Sequence, residues 1–145
     1  MEKDLYFVAV KVFLEDGKGN LLIIKDIHDD GWDIPGGRLR PQDFETPLEE
    51  VIARKMKEEL GNDIAYEVGA PVIFMRHERD EYLSPDKSER RRIFAIGYQG
   101  KYLWGDIHLG KYLKDYKWVP LETFKPEEYF TGGWLNGVKE YIKTF

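Results

Sequence analysis

The chain alternates between dense apolar runs and strongly charged segments. Residues 5–14 are apolar at nearly every position and rich in Val, Phe and Tyr, which predicts a strand covered on both faces. Asp16-Gly17-Lys18-Gly19-Asn20 is a turn cluster, and residues 21–25 resume as a second strand, making a hairpin. Residues 26–31 are polar and are expected to loop outward. The segment Trp32-Asp33-Ile34-Pro35-Gly36-Gly37 reads as a short extended piece whose glycines let the backbone approach something closely. A helix follows over 46–60, with Thr46 as N-cap, Pro47 in the first turn and Glu49 completing a capping box. Leu48, Ile52, Met56 and Leu60 form its buried stripe, and Gly61 is the expected stop. Residues 70–75 and 92–98 read as strands joined by a long charged loop, 76–91, and residues 116–119 as a further short strand. Residues 131–145 read as a closing helix with Trp134, Leu135, Val138, Tyr141 and Ile142 on one face. This order predicts an α/β fold, a mixed sheet with helices packed on it.

Composition narrows the class. With 42% hydrophobic residues and 4 Trp, 9 Tyr and 8 Phe, the chain is too apolar for disorder. Its 145 residues fit one domain, 1–145, and no repeat or linker divides them. The formal net charge of −5 offers no general attraction to phosphate backbones, so a nucleic-acid polymer is not an expected partner. The absence of cysteine excludes disulfides and thiolate chemistry, and three histidines make zinc-ligand sets unlikely. No apolar run approaches the ~20 residues of a membrane span, and the charged start Met1-Glu2-Lys3-Asp4 is no secretory signal. A cytoplasmic protein without membrane contact is the expectation.

The charged face of the 46–60 helix carries the first candidate chemistry. Glu58 and Glu59 sit at its C-terminal end, beside Gly61. Neighbouring helical carboxylates diverge by about 100° yet can bracket one hard cation, which suits Mg2+ or Mn2+ shared with a substrate's phosphates. By itself such a pair is usually a solvated face.

The wider pattern is more specific. Gly36-Gly37, Glu45-Thr46-Pro47 and Arg54-Lys55-Met56-Lys57-Glu58-Glu59-Leu60-Gly61 together resemble the Nudix box, G-x5-E-x7-R-E-U-x-E-E-x-G-U, where U is a large aliphatic residue. The lead-in Trp32–Gly37 and the later Tyr116-Lys117-Trp118-Val119 are also similar to stretches common in that family. The resemblance implies a Nudix fold, an α/β/α sandwich around a mixed sheet. It further implies a metal-dependent pyrophosphohydrolase acting on a nucleoside diphosphate linked to another moiety. In this alignment Glu58 and Glu59 are the metal-binding and catalytic carboxylates, Gly36, Gly37 and Gly61 are motif glycines, and Glu45 and Arg54 pair to brace the loop onto the helix. Seven residues separate Gly37 from Glu45 where the pattern has five, and eight separate Glu45 from Arg54 where it has seven. The first Glu of R-E-U-x-E-E is Lys55 and the final U is Asn62.

Lys55 precedes Glu58 by three residues and Glu59 by four, so its ammonium reaches either carboxylate. In one reading it points to solvent or to a substrate phosphate while Glu58 and Glu59 hold a metal. In the other it replaces the metal's charge, and the chain is a non-catalytic Nudix-fold protein that binds a nucleotide or a partner. The Nudix branch that acts on GDP-sugars also lacks this Glu, which opens a third reading, cleavage at the sugar carbon. That branch tends to place a His where this chain has Leu113.

The remaining candidates lie outside the helix. Arg38 and Arg40 can hold phosphate oxygens bidentately, although each fits a solvated loop as well. Glu78, Asp80 and Glu81 fall in the segment where many Nudix enzymes keep a general base, and Glu78 is the one carried forward. Strand alternation sends Arg90 and Arg92 to one face and Arg91 to the other. Tyr6, Phe7, Trp32 and Phe74 offer a base-stacking wall, with core packing the commoner role for such aromatics. His28, His77 and His108 show no ligand spacing. The expected partner is a nucleotide-derived small molecule, and a homodimer stays open.

Overall fold

A computed structural model describes residues 1–28, 31–84 and 87–145, with side chains described outside 80–89. Its strands are β1 (Tyr6–Glu15), β2 (Asn20–Asp26), β3 (Trp32–Asp33), β4 (Gly36–Arg38), β5 (Ile64–Ser84), β6 (Lys87–Gly105) and β7 (Leu113–Pro120). Helix α1 spans Leu48–Leu60 and α2 spans Gly132–Thr144. The strands form one mixed sheet in the order β3-β2-β1-β6-β5, with β4 pairing β1 and β7 pairing β2. The β1–β6 pair is parallel and the other pairings are antiparallel.

Alternation along β1 explains the two layers on either side of this sheet. Val10, Val12 and Leu14 point to one face and pack with Val51, Ile52, Met56 and Leu60 of α1. Ala9 and Phe13 point to the other, with Ile73, Met75, Val138 and Tyr141 beneath α2. Both faces of β1 are therefore dry from Ala9 to Leu14, whereas Leu5, Tyr6, Phe7 and Val8, expected in the same covered run, are exposed. The ring of Tyr141 stacks on Phe13 at 4.3 Å, and its hydroxyl donates to Glu15. The molecule is an α/β/α sandwich with α1 and α2 on opposite faces.

Two expectations change. The segment 76–91 is not a long loop. Strands β5 and β6 continue through it as a hairpin, with Glu78 opposite Arg92, Arg79 opposite Arg91 and Asp80 opposite Arg90. Charged side chains obscured the strand, because a cross-strand pair of opposite charge such as Glu78 with Arg92 supports a ladder without any apolar alternation. The side chains of Asp80 and Glu81 lie outside the described residues. The capping box at α1 also does not form. Pro47 is the N-cap, with no side-chain cap bond, and the Thr46 amide instead donates to the Asp43 carbonyl at 2.9 Å. At the other end Gly61 ends the helix with φ +89°, a conformation glycine adopts without strain, and its amide donates to the Lys57 carbonyl.

Candidate active site

The C-terminal end of α1 meets the β4 loop, and this contact builds the site. The Gly36 amide donates to Glu59 Oε1 at 2.7 Å. Gly36 has φ +143°, and a Cβ there would fall on the Val10 carbonyl, so only glycine brings this amide so close to the sheet. Burial pushes the Glu59 carboxyl up to about 7, with nearby Asp33 adding to the shift. The Lys11 charge, the Gly36 amide and Lys55 pull the other way without cancelling it.

Lys11 was not legible as a site residue. It lies within the apolar run of β1, 5% exposed, where a lysine is rarely found unpaired. Its Nζ is 3.0 Å from Asp33 Oδ2 and 5.1 Å from the centroid of the Trp134 ring. The only sequence signal was the charge itself, inside a strand otherwise dry on both faces.

Glu58 is half exposed, 3.6 Å from Arg54 Nε and 3.9 Å from Lys55 Nζ. Lys55 does not extend into solvent. Its side chain is 15% exposed and folds over Gly37, where a Cβ would press on the lysine stem at 3.1 Å. Glu58, Glu59, Lys55 and Arg40 all line a cleft of about 940 Å3. Asp26, at the end of β2, lines it too, and residues 110–113 complete the wall. That wall is fixed to α1, because the His108 and Gly110 amides donate to the last helical carbonyls, those of Leu60 and Glu59.

The bracing partner of Arg54 is Asp43, not Glu45. The Arg54 guanidinium makes two bonds of 2.7 Å to the Asp43 carboxylate, whose side chain is 1% exposed, while Glu45 is exposed. The Arg54 guanidinium and the Arg40 amide hold the Asp43 carboxyl well below the usual carboxylate range. Five residues separate Asp43 from Gly37, the spacing that the box prescribes for its first acid. Reading that position as Glu only, and not as either carboxylate, is what hid it.

Glu78 is not brought to this cleft. It accepts from Arg90 at 3.1 Å and Arg92 at 3.0 Å, and it lines a separate cavity of about 620 Å3 beside the N-terminal segment. Arg90 and Arg92 thus share a face, while Arg91 lies 5.9 Å from the Phe7 ring centroid on the other. Arg38 also stays outside the 940 Å3 cleft, stacked over Phe7 at 4.6 Å. Tyr6, Phe7 and Phe74 are 38%, 40% and 59% exposed, so they are not core, whereas Trp32 packs against the α2-side core. His77 stacks on Trp134 and accepts from its amide, which fixes α2 to the sheet.

Two helices thus sandwich a mixed sheet, and the paired carboxylates at the end of α1 face the glycine loop of β4. The family model of the NUDIX domain matches residues 5–134, and the chain belongs to that family. Solved structures share the fold. A MutT protein from Methanosarcina mazei Go1 is similar over 99% of this chain and 98% of its own, with 22% identity and a TM-score of 0.69. An ADP-ribose pyrophosphatase from Streptococcus suis 89-1591 has 11% identity and a TM-score of 0.65, covering 97% of this chain and 92% of its own. The E. coli dihydroneopterin triphosphate pyrophosphohydrolase has 13% identity and a TM-score of 0.63, covering 98% and 100%. No curated protein is detectably similar in sequence.

Proposed function

We propose that this chain, acting as one domain in the cytoplasm, is a divalent-metal-dependent pyrophosphohydrolase of a nucleoside diphosphate linked to another group. The observation that carries the reading is Glu59, a mostly buried carboxylate anchored by the Gly36 amide and adjoining Glu58 in a polar cleft. The donor set fits Mg2+ or Mn2+. Two carboxylates with water and substrate phosphates suffice for such ions, and no cluster of three or more Asp, Glu, His or Cys is assembled among the described residues. Glu58 and Glu59 would hold the ion, which when bound offsets charge on the phosphates.

The chain's own groups do the rest. Lys55 and Arg40 present cations to phosphate oxygens in the same cleft. A water oxygen bonds to phosphorus as the bridging P–O bond breaks, and the leaving phosphate takes the electron pair. Asp26 is the other described carboxylate in the lining, so it replaces Glu78 as the candidate acceptor of the water's proton.

Cleavage of nucleoside diphosphate sugars, ADP-ribose, dinucleotides and nucleoside triphosphates with Mg2+ or Mn2+, read as the nucleoside monophosphate formed, tests this. Turnover of at least one compound, abolished by EDTA, is expected. The competing reading, a non-catalytic nucleotide-binding protein, draws on Lys55 lying 3.9 Å from Glu58. Thermal stabilisation by the same compounds without any turnover would favour it.

A further inference from the structure

One aromatic side chain lines the hydrolytic cleft among the described residues, that of Tyr112. Its position is set by the chain around it. The Leu113 amide donates to the Gly110 carbonyl at 3.0 Å, closing a turn with Lys111 and Tyr112 at its two corners. The Gly110 amide donates to the Glu59 carbonyl at 3.0 Å, and a Cβ at Gly110 would fall 2.1 Å from the Glu58 carbonyl oxygen. The turn is therefore seated directly on the helix end that carries both carboxylates. Its other side is tied to the end of β2, because the Tyr112 carbonyl accepts from the Ile27 amide at 2.9 Å.

The ring itself is left open. Tyr112 is 58% exposed, and the Lys111 Nζ lies 5.0 Å from its centroid. A single exposed aromatic is ordinary, and Trp104 is another, but Trp104 lies outside the cleft. Tyr112 differs because an anchored turn holds its ring in the same cleft as Glu58, Glu59, Lys55 and Arg40. A tyrosine gives a large flat contact at a small cost in side-chain freedom, and an anchored backbone lowers that cost further. The groups on this wall also match one ligand. Cations beside an aromatic face suit a nucleotide, whose anionic phosphates lie next to a planar base.

We infer that Tyr112 is the surface on which the base of the nucleotide substrate stacks, with the Lys111 ammonium pairing with that nucleoside's own phosphate. The inference rests on the cleft at Glu59 being the hydrolytic site. It deepens that reading by giving the substrate a direction. The nucleoside end lies against the 110–113 turn, and the linked group extends away from it. Stacking reads the flat face that every base has, so Tyr112 selects for the presence of a base and not for one base over another.

The test titrates the full chain in Mg2+ with AMP, GMP, CMP and UMP, and with ribose 5-phosphate, which has the sugar phosphate and no base. None of these has a diphosphate bridge, so the readout is binding and not turnover. At least one nucleotide is expected to bind about tenfold more tightly than ribose 5-phosphate. Tyr112→Ala should remove that advantage and leave the affinity for ribose 5-phosphate unchanged. Tyr112→Phe keeps the ring and should keep the advantage, which guards against a folding defect in the alanine variant. Lys111→Gln should weaken nucleotide and ribose 5-phosphate alike, and Trp104→Ala, outside the cleft, should affect neither. The inference is overturned if no nucleotide outbinds ribose 5-phosphate, or if the advantage survives Tyr112→Ala. Equal loss of both ligands in Tyr112→Ala would make the ring a support for the turn, and loss of the advantage in Tyr112→Phe would assign it to the hydroxyl. Either result overturns stacking, and a Lys111→Gln change felt by neither ligand overturns the phosphate pairing. The hydrolase reading fails separately, as absent formation of nucleoside monophosphate from the substrate panel, a result on which these titrations do not depend.

Discussion

Glu59 occupies its place against its own electrostatic preference. Its carboxyl is pushed from 4.5 up to about 7 by burial, so the metal-free fold favours the protonated form. The folded state therefore binds the extra proton between these values, and stability falls as pH rises through that window. At pH 8 the ionised group costs metal-free protein about 3 kcal/mol. Glu59→Gln, which keeps an acceptor for the Gly36 amide, is expected to recover that amount in denaturant titrations with EDTA at pH 8. The gain should vanish by about pH 3.5, where both states of the wild type are largely protonated. A gain that did not depend on pH would assign the effect to packing.

The neighbouring residues divide into those that a pattern could find and those that only the fold joins. Lys55 precedes Glu58 by three residues and Glu59 by four on one helix, and their proximity follows from the 3.6-residue turn. Asp26 comes from another strand, so no local spacing linked it to them. Asp26→Asn is expected to lower kcat by about 100-fold or more, and Glu78→Gln to leave it nearly unchanged. Equal losses in the two variants would remove Asp26 from the role. Lys55→Glu restores a third carboxylate within one turn of Glu58 and Glu59. It should tighten Mg2+ binding in isothermal titration, and weaker binding would show that Lys55 belongs to a specialised site.

At the scale of elements, the brace between the β4–α1 loop and the helix decides how the carboxylates are presented. Asp43 and Arg54 form it through two 2.7 Å bonds, at the end of the single-turn helix Pro41–Asp43. Because the Asp43 carboxyl is held below its ordinary value of 3.8, its stabilisation is complete at neutral pH and is lost as pH falls below about 4. Asp43→Asn should lower the melting temperature at pH 7 and flatten that acid limb. Glu45→Gln, at an exposed side chain, should change stability by less than about 0.5 kcal/mol. The apolar stripe of α1 and its glycine stop were legible because period and stop chemistry are local. The cap was not, because Pro47 and the Asp43 turn compete with Thr46 for the chain's entry into the helix. The β5–β6 hairpin was hidden for a different reason. Its outer half is held by charge pairs such as Glu78 with Arg92, and a search for apolar alternation passes over them.

At the scale of the molecule, the sheet is held between two layers that serve different ends. On one side α1 supplies the carboxylates, and on the other α2 closes the core and places Trp134 beside Lys11 and His77. The contact of α2 with the sheet is close enough that a Cβ at Gly133 would fall on the Arg76 carbonyl oxygen. Gly133→Ala is expected to cost about 1–3 kcal/mol by denaturant titration, more than a surface change would. The two layers were legible from the chain as amphipathic helices around apolar strands. Which strands lie side by side was not, since the parallel β1–β6 pair joins segments as far apart as Tyr6 and Arg92 and leaves no local mark.

The central claim is that the cleft at Glu59 directs water to phosphorus. The most direct measurement is turnover of an active nucleoside diphosphate derivative in water labelled with heavy oxygen, with the products read by mass spectrometry. The account predicts that the label appears on a phosphate product, in a reaction that requires Mg2+ or Mn2+ and is lost in Glu59→Gln. Label on the sugar product, or turnover that persists in EDTA, would contradict it.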